Sequence, residues 1–284
     1  MWAIIGGSGF ESFPEFKVIE NIDLSTPFGS PSSGLKKVEL FSTEIIFLSR
    51  HGQHHELLPS EINYCANIFA LKKLGVSKIL SISAAGSLRE ELHPGDMVIP
   101  NQYINYTHKR LSSFCGDGVT GHVSLAKPIS HELAFEIEKI KSQFTFPIHF
   151  NRTYICIEGP HFSTGAESQK YRTFGADIVG MTNFPEYALA REAGICYLPC
   201  AFITDYDAWS DALPHAAWPE IKKVMDENRN KAYAVAKTLI QNTANLLTKG
   251  CTEIGLKSGL MCSVDNLPVE KQQWLTVLMN EVGS

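Results

Sequence analysis

Short apolar runs that stop at glycine, serine or an acidic residue recur along the chain, and stretches of helical periodicity separate them. This alternation constrains the fold more than any other feature. Trp2 to Ile5 stops at Gly6-Gly7, and Lys78 to Ile82 stops at Ser83-Ala84-Ala85-Gly86-Ser87. Tyr154 to Ile157 stops at Glu158-Gly159-Pro160, Asp177 to Val179 is a further short run, and Cys196 to Ile203 stops at Thr204-Asp205. Further strands are expected at 37–41 and 44–48, as a hairpin around Ser42-Thr43, and at 96–100. Helices are expected at 60–74, with Ser60 as N-cap and Gly75 past its end, and at 130–141, 164–174, 185–193 and 218–247. Strands alternating with helices predict an α/β fold around a largely parallel, helix-covered sheet. Residues 106–127, with Gly116, Gly118 and Gly121, read as loop. No repeat or linker divides the chain, so 1–284 reads as one domain. Its tail, 250–284, is expected to dock through a helix at 269–279.

Composition narrows the class. A chain of 284 residues can bury a sizeable core without disulfides or structural metal. A formal net charge of -5 lacks the basic footprint of a nucleic-acid binder. No apolar run reaches the ~18 residues of a membrane span, and the start, Met1 to Gly7, does not read as a secretory signal. The seven cysteines contain no C-x-x-C and suggest neither a disulfide framework nor a zinc site. They are expected as buried free thiols, in a protein of the cytoplasm.

Open α/β sheets bind ligands at the carboxyl ends of their strands, so these strand breaks are candidate walls of one site. In Gly6-Gly7-Ser8-Gly9, glycines let backbone N–H groups approach an anion and Ser8 adds a hydroxyl. The pattern fits neither a P-loop nor a dinucleotide fingerprint, and a plain tight turn also explains it. Arg50-His51-Gly52 follows an apolar strand and offers a guanidinium fork and an imidazole to phosphate. Histidine phosphatases use the same tripeptide, on their first strand. His51, His54 and His55 match no metal-ligand spacing, so no metal is expected. Thr182 sits near a helix start, where its hydroxyl either caps the helix or holds an anion, and Glu186 in the first turn suits the helix dipole. Asp205 and Asp207 point the same way on a continuing strand and suit a ligand with several N–H groups, such as an aminopurine.

Taken in order, Ile-Gly-Gly-Ser-Gly, Thr-Pro-Phe-Gly-x-Pro, Arg-His-Gly, Ala-x-Gly-Ser-Leu-Arg-Glu-Glu, Glu-Gly-Pro-x-Phe-Ser, Met-Thr-x-x-Pro-Glu and Thr-Asp-Tyr-Asp-x-Trp make the chain resemble the trimeric branch of the purine nucleoside phosphorylase family. The resemblance runs from about Ile4 to Lys231. It is closest to members acting on 5′-methylthioadenosine, with adenine and 5-methylthio-α-D-ribose 1-phosphate as products. It implies a three-layer αβα fold around a twisted mixed sheet, a homotrimer with sites at subunit interfaces, and no cofactor beyond phosphate as co-substrate. Ser8, Arg50, His51, Ser83, Ala84 and Thr182 would bind phosphate. Met181 would meet the ribose hydroxyls and Phe162 the base and sugar. Asp205 would protonate or share the proton at N7, and Asp207 would accept from the 6-amino group.

The 5′ pocket departs from the family pattern. Trp218 is larger than the usual residue and Lys222 is polar, although Ile221 fits. His122 resembles a residue given by a neighbouring subunit, and Ser163 occupies a position that tunes specificity. The alternatives are a sibling phosphorylase preferring adenosine, methylthioinosine or 6-oxopurine nucleosides, a hydrolase, and a nucleoside-binding protein without turnover.

Overall fold

The computed structural model describes residues 1–11, 13, 16–32, 34–40, 42–209, 218–243, 246, 251 and 255–280, with Trp218 as backbone only. Nine strands form one mixed sheet: β1 (Trp2–Gly6), β2 (Lys17–Ile22), β3 (Leu35–Leu40), β4 (Thr43–Ser49), β5 (Lys78–Ser87), β6 (Met97–Tyr106), β7 (Ile148–Ile157), β8 (Ile178–Gly180) and β9 (Cys196–Tyr206). Their order is β2-β3-β4-β1-β5-β8-β7-β6-β9. The helices are α1 (Tyr64–Lys73), α2 (His131–Ile140), α3 (Gly165–Thr173), α4 (Asn183–Glu192), α5 (Trp218–Asn242), α6 (Leu256–Gly259) and α7 (Val269–Met279). No described helix is long and apolar enough to cross a membrane.

The apolar run Trp2–Gly6 is buried throughout because β1 lies between two parallel neighbours, β4 and β5. The register places Gly6 opposite Ser49 on one side and Ile82 on the other. The chain segments that leave these strands, at Gly7-Ser8, Arg50-His51 and Ser83-Ala84, therefore emerge side by side. β9 pairs parallel to β5 along its length, with a register shift after Ala85 that sets Gly86 opposite Asp205.

The α/β class and the mixed sheet agree with expectation, and several details differ. Pairing of β5 with both β8 and β9 closes the strands β5, β8, β7, β6 and β9 into a ring, where the pattern alone suggested a mostly parallel open sheet. Residues 83–87 continue β5 rather than ending it, because β9 supplies ladder partners as far as Ser87. β2 was not expected: its residues are mostly exposed and carry no apolar alternation. Helix α1 is capped by Asn63, whose side chain accepts from the Ala66 N–H, and not by Ser60.

Cys196 and Cys251 form a disulfide across 55 residues, against the expectation of free thiols. The start of β9 meets the chain beyond α5, a proximity that local spacing does not reveal. Cys65, Cys156 and Cys200 are buried and free. At the tail, α7 buries Trp274, Leu275 and Leu278, and Trp274 meets Phe28 edge-on at 5.3 Å. The part of the expected long helix beyond Asn242 falls largely outside the described residues.

Candidate active site

A cavity of about 270 Å³ opens where β1, β4, β5, β8 and β9 end. Ser8, Arg50, His51, Ser83, Ala84 and Thr182 line one part of it, and Phe162, Ser163, Met181, Asp205, Asp207 and Ile221 line the rest. Two expected residues are not placed there. The Trp218 side chain lies outside the described residues. His122 is not among the lining residues; its N–H instead donates to Gly259 O at 2.8 Å. Lys222 is exposed, whereas Ile221 and Met225 are buried and face the cavity. A spacing of four puts those two on one side of α5 and turns Lys222 away.

Arg50 is fully buried beneath the glycine loop. Its Nε donates to Glu186 Oε2 at 2.7 Å, and its Nη2 donates to Glu186 Oε1 at 2.9 Å and to Ser81 Oγ at 2.7 Å. Its Nη1 donates to Ile82 O at 3.1 Å. Those bonds engage four of its five N–H donors and leave one on Nη1. A Cβ on Gly7 would meet Nη1 at 2.4 Å, so only glycine lets the loop lie on the guanidinium. Burial would favour the neutral base, but the Glu186 carboxylate outweighs it and holds Arg50 more firmly protonated than usual.

Glu186 Oε1 also accepts from Ser81 Oγ at 2.5 Å and from Tyr197 Oη at 2.9 Å. Its role as buried partner of Arg50 was not legible in the sequence, where its position at a helix start already explained it. Thr182 stands at the N-cap position of α4 but makes no side-chain cap hydrogen bond, which leaves its hydroxyl to the cavity. Asn183 Nδ2 donates to Ser83 Oγ at 3.4 Å, and Tyr103 Oη donates to Asn183 Oδ1 at 3.0 Å. Hydroxyls and one guanidinium N–H thus lie at one end of the cavity, as an oxyanion requires, with the His51 ring beside them.

At the other end, Gly86 brings two carboxylates together. A Cβ there would lie 3.8 Å from Asp205 Oδ2 and 3.5 Å from Asp207 Cβ. Thr204 Oγ1 donates to Asp205 Oδ1 at 2.6 Å. Burial, opposed by that bond and reinforced by Asp207, raises Asp205 to about 6. Burial raises Asp207 as well. The Ser168 and Ser163 hydroxyls interact with the Asp207 carboxyl and oppose that rise. Asp207 and Ser163 line the cavity, where the carboxylate can meet a polar ligand. Ser168 and Met225 were not singled out from sequence; Met225 could have been, one helical turn beyond Ile221.

The wall carrying Phe162 is anchored from outside. Arg110 Nε donates to Glu158 Oε1 at 3.1 Å, and its Nη2 donates to Ile157 O and Glu158 O. Phe162 itself is 64% exposed, so something other than the described chain must cover it if it is to stack. Among the described residues, no group of three or more His, Cys, Asp or Glu side chains is placed to hold a metal ion.

A family model described as the phosphorylase superfamily matches residues 2–241. An S-methyl-5′-thioadenosine phosphorylase of Thermococcus kodakarensis is 44% identical over 251 residues, which is 88% of this chain and 96% of that protein. The crystal structure of a methylthioadenosine phosphorylase from an antarctic soil metagenomic library superposes with a TM-score of 0.91 at 40% identity, covering 98% of each chain. Methylthioadenosine phosphorylase from Schistosoma mansoni, in complex with adenine, superposes with a TM-score of 0.84 at 32% identity, covering 89% of this chain and 94% of that one.

Proposed function

The chain belongs to the phosphorylase superfamily, and from that premise we infer that it is a pentosyltransferase catalysing phosphorolysis of 5′-methylthioadenosine to adenine and 5-methylthio-α-D-ribose 1-phosphate. One observation supports this reading above the others. An oxyanion-binding end and a paired-carboxylate end share a single cavity, so a phosphate and a purine can be held on opposite sides of a ribose.

Phosphate occupies the end formed by Ser8, Arg50, His51, Ser83, Ala84 and Thr182 and attacks C1′. The C1′–N9 bond breaks with its electron pair going to the base. Adenine gains one proton in the sum, and hydrogen phosphate gives one up. The ribosyl centre becomes cation-like as the bond lengthens, and the adjacent anion stabilises that charge. Asp205 donates or shares a proton at N7, which makes the base a neutral leaving group. Asp207 accepts from the 6-amino group, with Ser163 beside it. Met181 meets the ribose hydroxyls and Phe162 the base and sugar. Phosphate is a co-substrate, and these steps require no cofactor.

Ile221 and Met225 form the apolar floor for the methylthio group, with Trp218 next to them in sequence register. Replacing Met225 by Ser is expected to lower kcat/KM for methylthioadenosine about tenfold relative to adenosine, measured as steady-state rates on both nucleosides. The active form is a homotrimer in which a neighbouring chain supplies His122 and covers Phe162. The absence of His122 from the lining of its own cavity and the exposure of Phe162 support this assembly. We place the enzyme in the cytoplasm, which the free buried thiols favour and the Cys196–Cys251 pair does not.

Base release from methylthioadenosine, adenosine, methylthioinosine and inosine, each with and without phosphate, tests the whole reading. Phosphate-dependent release of adenine, fastest from methylthioadenosine, is the expected result. Faster release from the inosine nucleosides would favour the sibling phosphorylase. Release without phosphate would replace phosphorolysis with hydrolysis, and binding without release would leave a nucleoside-binding protein.

A further inference from the structure

The position of the proton on His51 follows from its contacts. Nδ1 lies 2.9 Å from Leu57 O. A carbonyl oxygen only accepts, so Nδ1 carries a hydrogen. Burial, opposed by that bond and reinforced by the neighbouring Arg50 cation, pushes the ring down to about 4, so it is neutral at pH 7. A neutral imidazole has one N–H, and here it is spent on Leu57. Nε2 therefore presents a lone pair. The ring is also held in place. It stacks on His55 with centroids 4.4 Å apart, and His55 Nδ1 is bonded to Glu11 Oε1 at 2.9 Å. Glu11 Oε1 in turn accepts from the Gly9 N–H at 3.1 Å. The titratable and charged groups acting on the ring are Arg50 and His55, which disfavour a second proton on it, and Glu11, which favours one; Arg50 is paired with Glu186.

We propose that His51 reads the proton on the incoming oxyanion: Nε2 accepts a hydrogen bond from a P–OH, so the site takes hydrogen phosphate or arsenate in preference to a bare tetrahedral dianion such as sulfate. This rests on the phosphate-site assignment above. Hydrogen phosphate and sulfate share shape and charge. Against this ring they differ in one contact, a hydrogen bond for the first and two facing lone pairs for the second. Because a buried acceptor is costly to leave unmet, that contact is expected to favour hydrogen phosphate by about ten- to a hundredfold.

Two measurements on the wild-type protein decide it. The first is competition: sulfate is titrated against phosphate in the phosphorolysis assay, at a pH where both are mainly dianions, and arsenate is tested as an alternative co-substrate. An inhibition constant for sulfate at least about tenfold above the dissociation constant of phosphate is expected. The second is 15N NMR of the histidine-labelled protein with phosphate bound, with His51→Gln used to assign the signal. A neutral ring protonated at Nδ1 is expected. Sulfate binding as tightly as phosphate, or a doubly protonated His51 in the phosphate complex, would overturn the proposal and leave the phosphate site intact. No phosphate binding at all would overturn both. The competition arm needs no variant, so a His51→Gln protein that does not fold leaves the proposal testable.

Discussion

Asp205→Asn is expected to lower kcat/KM for adenine release from methylthioadenosine by about 10²- to 10⁴-fold. Asparagine keeps the shape and the bond to Thr204 Oγ1 but has no acidic proton to give N7. The wild-type acid is scarce at neutral pH: with Asp205 raised to about 6, roughly a tenth is protonated at pH 7 in the free enzyme. Activity that needs the acid is present below about pH 6 and lost as pH rises through it. The wild-type kcat/KM profile should therefore bend near that value, and the Asn profile should not.

The Asn substitution should affect stability in the opposite sense to activity. A carboxyl with a folded-state pKa above its unfolded value makes the folded state less stable as pH rises between the two. At neutral pH, where wild-type Asp205 is mostly charged, the Asn protein should melt no lower than the wild type. A variant that is slow and also unstable would mean that Asp205 is structural. Full activity with Asn would remove its role as proton donor.

Glu186→Gln is expected to cost about 3–5 kcal/mol of stability, because it strips the partner from a fully buried Arg50. Ser81 and Tyr197 lose their carboxylate acceptor in the same change. In a chain of this size the melting temperature should fall on the order of 10 °C. Phosphate KM should rise as well, because Glu186 sets the direction in which Arg50 presents its remaining N–H. The double variant Arg50→Met with Glu186→Met separates the two effects. Matched apolar side chains should restore much of the melting temperature, while phosphate KM stays high. If phosphate KM returned along with stability, Arg50 would not be part of the anion site.

The sequence was most informative where chemistry is local. Ser8 in its glycine loop, Arg50-His51, Thr182, Asp205 and Asp207 all stood out, and all line one cavity. It was least informative where a residue's role depends on a distant partner. Glu186 looked fully explained by the helix dipole, yet its partner Arg50 lies 136 residues away. The disulfide, the closure of the sheet through β5 and β9, and the continuation of β5 across Ser83 to Ser87 are of the same kind. Lys222 seemed to break the apolar 5′ pocket only because the rotation of α5 was unknown. The helix turns Ile221 and Met225 inward and Lys222 out. Ser60 lost its expected cap to Asn63, a shift of three residues that periodicity does not resolve.

The register that sets Gly6 beside Ser49 and Ile82, and Gly86 beside Asp205, also bears on how the chain folds. The two ends of the cavity are made by strands separated by long stretches of sequence, and closing such loops is slow relative to forming helices. Neither an N-terminal fragment nor a nascent chain that has not yet released β9 can assemble both ends. Phosphate and nucleoside together therefore recognise only a finished sheet. Their binding energy is added to the native state alone, so in the cell substrate acts on this protein as a selective stabiliser of molecules that have completed folding.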